Sequence, residues 1–141
     1  MINEERLRLA IEALRSGNYV QGMNQLRMDL GEDGYQHCCL GVLTEVALAQ
    51  GHITVEDLPD GEFWGHLAVL PYVVWKWYGL NCADPFLGPE PGTVIAESRV
   101  GLTATEANDD AGWDFKEIAD AFERLIETGE GDGTGVPNLG P

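Results

Sequence analysis

At 141 residues, with 44% hydrophobic content and four Trp, the chain has the apolar mass of one folded domain rather than of a disordered segment. Eight Lys and Arg stand against 24 Asp and Glu, a formal net charge of -16, too few cations to release counterions from a phosphate backbone, so direct nucleic-acid binding is excluded. Three cysteines, two of them adjacent, do not make a disulfide framework and point to reduced thiols.

No apolar run has the length of a membrane span, and the start Met1-Ile2-Asn3-Glu4-Glu5-Arg6 lacks the basic and apolar regions of a secretory leader. A cytoplasmic protein with no membrane partner is expected. The acidity itself has two readings: a solvated surface that maintains solubility, or a mimic of DNA phosphate that inhibits a nucleic-acid-binding host protein. The carboxylates are spread through every segment rather than along one helix, which favours the first.

In chain order, Leu7, Ala10, Ile11 and Leu14 predict an amphipathic helix from Glu4 to Ser16, capped by Asn3 and ended by Gly17. Leu26, Met28 and Leu30 alternate with Gln25, Arg27 and Asp29, predicting a half-buried strand. With the turn at Gly31–Gly34 and a returning strand over Tyr35–Cys38, this makes a hairpin of about residues 19–38. From Cys39 to Gln50 nearly every residue is apolar, the mark of a central helix. Residues 52–70 read as a covering loop with one or two short turns, anchored by Phe63 and Trp64.

Leu70-Pro71 opens a short helix, with Pro71 at its first position, Val73, Val74, Trp75 and Trp77 inward, and Gly79 at its end. Residues 81–92 hold three Pro and two Gly and read as irregular loop, followed by a weak strand over Thr93–Val100 that would join the hairpin. Thr103/Glu106 and Asp114/Glu117 are capping boxes opening two further helices, the second striped with Phe115, Ile118, Ala119, Phe122, Leu125 and Ile126. Residues 129–141 hold five Gly and two Pro and read as a flexible tail. The expected architecture is α+β: one mainly helical domain over residues 1–128 with a small antiparallel sheet built on the hairpin.

The triplet His37-Cys38-Cys39 invites a metal or nucleophile reading. Zinc needs about four N/S ligands at suitable spacing, whereas adjacent residues point apart and His52, His66 and Cys82 stand singly in loops. Neither a metal nor a cofactor is expected. Buried cysteine usually packs as a small hydrophobe, and a reactive thiol needs an electropositive, open setting. A small enzyme using Cys38 or His37 therefore stays an alternative, kept open by the neighbouring histidine. The paired helices after Thr103 have the outline of a helix-turn-helix, but the second carries Asp114, Glu117, Asp120, Glu123 and Glu127 and would be repelled from a major groove.

The stretch Ala13–Met28 contains no acid and holds Arg15, Tyr19, Gln21 and Arg27. In so acidic a chain this island of donors is the expected ligand-binding surface for a small anionic or nucleotide-like ligand, joined by Asn108 and Asp109; the bland reading pairs the arginines with surface carboxylates. The same arginines would alternatively form a contact between copies in a homo-oligomer.

The succession Arg15-Ser16-Gly17-x-Tyr19-x-Gln21-Gly22, Leu26-Arg27, Cys38-Cys39-Leu40-Gly41-Val42-Leu43, Leu70-Pro71, Trp77, Gly79-Leu80, Asn108-Asp109, Gly112, Phe115 and Ile118-Ala119-Asp120 resembles a family of small uncharacterised proteins of bacteriophages and prophages, over residues 10–127. A departure is Glu106-Ala107 before the Asn-Asp pair, where a leucine is expected. The resemblance supplies no catalytic residues. It implies a non-enzymatic accessory protein, in the host cytoplasm if phage-encoded, that acts in host interaction or counter-defence by binding a host protein or a small ligand.

Overall fold

A computed structural model describes residues 2–88 and 102–128. Helix α1 (Glu4–Arg15) begins where Asn3 Oδ1 accepts the Arg6 amide at 3.1 Å, and Gly17, at φ 79°, takes the chain out of it. Its buried stripe of Leu7, Ala10, Ile11 and Leu14 lies along α4 (Phe115–Thr128), opened by a reciprocal capping box: the Asp114 amide donates to Glu117 Oε1 at 3.0 Å and the Glu117 amide to Asp114 Oδ1 at 2.8 Å. Phe115, Ile118, Ala119, Phe122 and Leu125 are buried along it and Ile126 is half-buried, the stripe the 3.6-residue period requires.

Helix α2 (Cys39–Ala49) is the centre of the core, with Leu40, Val42, Leu43 and Ala47 at 0% exposure. Cys38 at its N-cap has no side-chain hydrogen bond to offer, and the orphan amide of Cys39 is met from elsewhere in the chain, by Asn108 Oδ1 at 3.1 Å. Gly41 lets α2 pass close to the preceding backbone: a Cβ there would stand 1.7 Å from the Leu26 carbonyl oxygen.

The fold is α+β as expected, with one difference in strand order. Strands β1 (Val20–Gln21), β2 (Arg27–Asp29) and β3 (Tyr35–His37) form a three-stranded sheet ordered β1-β3-β2. Only β2 and β3 are a hairpin; β1 pairs β3 in parallel, because the bend through Gly22–Leu26, with Asn24 at φ 71°, turns the chain back before β2 begins. The burial of the strand also differs from its alternation. Leu26 is buried, whereas Met28 and Leu30 are 36% and 37% exposed. The covered face is the one bearing Arg27 and His37, because their side chains meet Glu45 and aromatic rings there.

In the covering segment after α2, 3₁₀ turns occupy Val55–Asp57 and Gly61–His66. Trp64 anchors it at 1% exposure, but Phe63 stands 70% exposed and anchors nothing. Helix α3 (Tyr72–Tyr78) starts after Pro71, which is extended at the N-cap instead of occupying the first helical position. It buries Val74, Trp77 and Tyr78, whose hydroxyl donates to the Leu43 carbonyl, while Val73 and Trp75 are half-buried. The segment read as irregular contains strand β4 (Phe86–Gly88), which pairs antiparallel with β5 (Leu102–Thr103) as a second sheet. The strand expected over Thr93–Val100 and the tail 129–141 lie outside the described residues. The Thr103/Glu106 capping box is present, with the Thr103 amide 3.0 Å from Glu106 Oε1, but it leads into a π-helical turn over Glu106–Asp110 that carries Asn108 inward.

Candidate functional site

The residues singled out in the sequence are distributed over three places. Arg15, at the end of α1, reaches α4 and forms ion pairs with Asp120 at 2.7 Å and Glu123 at 2.9 Å. Those two hydrogen bonds, Asp120 first, raise its already high pKa further. This is the arrangement in which surface carboxylates take up the guanidinium.

Gln21, Asn108 and Asp109 do come together, around Asn108. Asn108 Oδ1 accepts from Gln21 Nε2 at 2.9 Å and from the Cys39 amide at 3.1 Å. Its Nδ2 donates to the Gly22 carbonyl and to Asp109 Oδ1, both at 2.8 Å. Gln21 Nε2 also donates to the Trp113 carbonyl at 2.8 Å, and Asp109 Oδ1 accepts the Asn24 amide at 3.1 Å. Both donors and both lone pairs of the Asn108 amide are used within the chain. The group binds β1, the start of α2 and the π-helical turn to one another.

Tyr19 and Arg27 lie in a third place, on the covered face of the three-stranded sheet. The Arg27 guanidinium is held between two rings, 4.4 Å from the centroid of Tyr35 and 4.6 Å from that of Trp64. Its Nη1 is 3.4 Å from Glu45 Oε2, and the same oxygen is 2.8 Å from His37 Nε2. The His37 ring, 5% exposed, packs against Tyr19 with the ring centroids 5.1 Å apart, and its Nδ1 is buried with no hydrogen-bond partner among the described residues. Burial pushes the Glu45 carboxyl up, but the hydrogen bond and charge of His37 and the charge of Arg27 outweigh it and leave the pKa lowered. Burial, with the Glu45 charge second, raises the Tyr19 hydroxyl.

Sequence reasoning missed Glu45, Trp64 as a partner for Arg27, and the role of Tyr35. A signal for Glu45 was present: it is the one charged residue in the largely apolar Cys39–Ala49 helix. Beside this cluster Cys38 and Cys39 are packed in the core. Burial pushes the Cys38 thiol up to about 11 and Cys39 well above its ordinary value, so neither is a thiolate at neutral pH. No group of three or more His, Cys, Asp or Glu among the described residues is arranged to hold a metal ion.

The opposite face of the same sheet is exposed in part, with Gln36 half-buried at its middle. Pairing places Val20 and Met28 on either side of Gln36 in one row, and the two-residue repeat puts Leu30 on the same side. Val20 is 60% exposed, and Met28 and Leu30 more than a third.

A family model matches residues 2–126, almost the whole described chain. The chain belongs to DUF8296, a domain of unknown function. No curated protein and no solved structure matches it. In this DUF8296 domain no described helix is long and apolar enough to cross a membrane. Two of its polar clusters are engaged in holding segments together, and the apolar row on the sheet is exposed among the described residues.

Proposed function

We propose that the protein is a non-enzymatic phage-type accessory protein that acts by binding a host protein through the outer face of its three-stranded sheet. The observation that carries this reading is the exposure of Val20, Met28 and Leu30 on one side of that sheet. Grouped apolar side chains facing water are more informative than scattered ones, since covering them in a complex gains the free energy that folding leaves unused. The resemblance to phage and prophage proteins supports a bacterial host as the source of the partner.

The donors that would recognise a small anion speak for the protein partner by elimination. Arg15 is engaged by two carboxylates, Gln21 and Asn108 by each other and the backbone, and Arg27 by two rings and Glu45. An anion entering beside Arg27 would also meet the Glu45 charge. A thiol-based enzyme gains no support from buried, protonated Cys38 and Cys39.

The test places a photo-crosslinking residue at Met28, and in a control at the more exposed Tyr72 on α3, in the chain expressed in its bacterial host. A discrete adduct from position 28 and none from position 72 is expected, and a nucleotide panel leaves the melting temperature unchanged. A nucleotide that raises the melting temperature of the native chain but not of Arg27→Ala overturns the reading in favour of a small-ligand site.

A further inference from the structure

Resting on that reading of the sheet face, we infer that its partner is a basic segment bearing aliphatic side chains, rather than a neutral or acidic surface or a second copy of this chain. The inference comes from what surrounds the apolar row. The β2–β3 turn carries Glu32 and Asp33, both exposed, directly beyond Leu30. The one cation of β2, Arg27, is turned to the covered face and held there by Tyr35, Trp64 and Glu45. The outer face therefore presents Val20, Met28 and Leu30 close to the exposed carboxylates of the turn, with the basic group of the same strand withdrawn from it.

Complementarity follows from these two parts. Leucine- or valine-sized side chains cover the apolar row and give the affinity. Lys or Arg side chains flanking them meet Glu32 and Asp33 and set orientation and encounter rate. The charge of the whole molecule acts in the same sense. At -16 per chain, two copies brought face to face repel one another, whereas a cationic partner is attracted from beyond contact distance. The edge of β2 adds a reason for side chains rather than a shared strand to mediate the contact. The Leu26 amide is already bonded to the Leu67 carbonyl at 2.7 Å and the Arg27 carbonyl accepts Gln25 Nε2 at 2.9 Å, so this edge is partly closed to strand addition.

The experiment titrates three short synthetic peptides into the isotope-labelled full chain and follows backbone amides by NMR. One alternates Lys and Leu, one alternates Lys and Ser, and one alternates Glu and Leu. The Lys/Leu peptide is expected to bind and to shift the amides of Val20 and of residues 28–36, with affinity falling about tenfold in Met28→Ser or Val20→Ser, in the range of a truncated interface anchor. Both variants are at exposed positions and change no charge, so the fold and the electrostatics stay as they are. Equal binding of the Lys/Ser peptide, equal binding of the Glu/Leu peptide, or indifference to both variants overturns the inference. So does a concentration-dependent dimer that Met28→Ser abolishes. A crosslink at position 28 with no binding of the Lys/Leu peptide would leave the binding-protein reading standing and remove only the basic partner class.

Discussion

Two polar clusters flank strand β3 and are built on opposite principles. The cluster at Asn108 is held by a neutral amide, with every donor and acceptor of that amide satisfied and with partners 69, 86 and 87 residues away in sequence. The cluster at Arg27 is charged, holds its guanidinium by stacking, makes its ion pair to Glu45 at the long distance of 3.4 Å, and leaves His37 Nδ1 without a partner among the described residues. The difference teaches where structural rigidity resides. A saturated neutral amide costs nothing in ionisation and fixes three segments in one geometry. A charged cluster is conditional on the protonation of its members.

Asn108→Ala should show this most strongly. It removes four hydrogen bonds and leaves the Cys39 amide and the Gly22 carbonyl without their partner in a buried site. Each stranded buried group costs about 1–3 kcal/mol, so a loss of about 3 kcal/mol or more in urea unfolding is expected. Arg27→Ala should cost clearly less, because the neighbouring Glu45 is a quarter exposed and regains water. Equal losses in the two variants would erase the distinction between the clusters.

That contrast also explains what the sequence disclosed. The helices were legible because their signals are local: Asn3 before Glu4, the Asp114/Glu117 box, and the buried period of α4 all operate within a few residues. The α+β class and the buried double cysteine were legible for the same reason. What was not legible depends on distant pairing. The parallel placement of β1 beside β3 is set by a bend at Asn24 and by the Asn108 amide, neither of which leaves a mark on the alternation of β2. The inversion of that strand has a similar origin. Arg27 faces inward only because Trp64, 37 positions later in the chain, and Tyr35 provide rings for it. Of the residues proposed for a ligand site, Gln21, Asn108 and Asp109 are brought together, Tyr19 and Arg27 share a second cluster, and Arg15 stands apart at the end of α1, paired to α4. Spacing in sequence groups residues by proximity along the chain, and this fold sorts them by burial.

The conditional nature of the charged cluster has a defined pH signature. The folded pKa of Glu45 is lowered, so its stabilising contribution is fully present above the unfolded carboxyl value of about 4.3 and is lost as pH falls through the lower folded value. Native chain and Glu45→Gln should therefore differ in stability at neutral pH, by about 1 kcal/mol for a partly exposed charge-assisted hydrogen bond, and converge in acid. Denaturation curves at a series of pH values measure both. A difference that stays constant down to acid pH would mean that packing, and not the carboxylate charge, is what Glu45 contributes. Asn108→Ala should keep most of its loss in acid, since three of the four hydrogen bonds it removes are to groups that do not titrate.

The smallest effect is expected where charge meets water. Arg15 bridges α1 to α4 with two short ion pairs, yet its side chain is 38% exposed and that of Asp120 65%. Solvent and salt screen such pairs, and both helices are already joined by the buried contacts of Leu7, Ile11 and Phe122. Arg15→Ala should lower stability by no more than about 1 kcal/mol, and the difference should shrink as salt is raised. The Arg27 contribution should survive the same salt, because stacking between Tyr35 and Trp64 excludes the solvent that would screen it. Parallel unfolding of Arg15→Ala and Arg27→Ala at low and high ionic strength thus separates a surface ion pair from a stacked one. If both losses faded together with salt, the Arg27 cluster would be an ordinary surface pair and the two rings beside it mere neighbours.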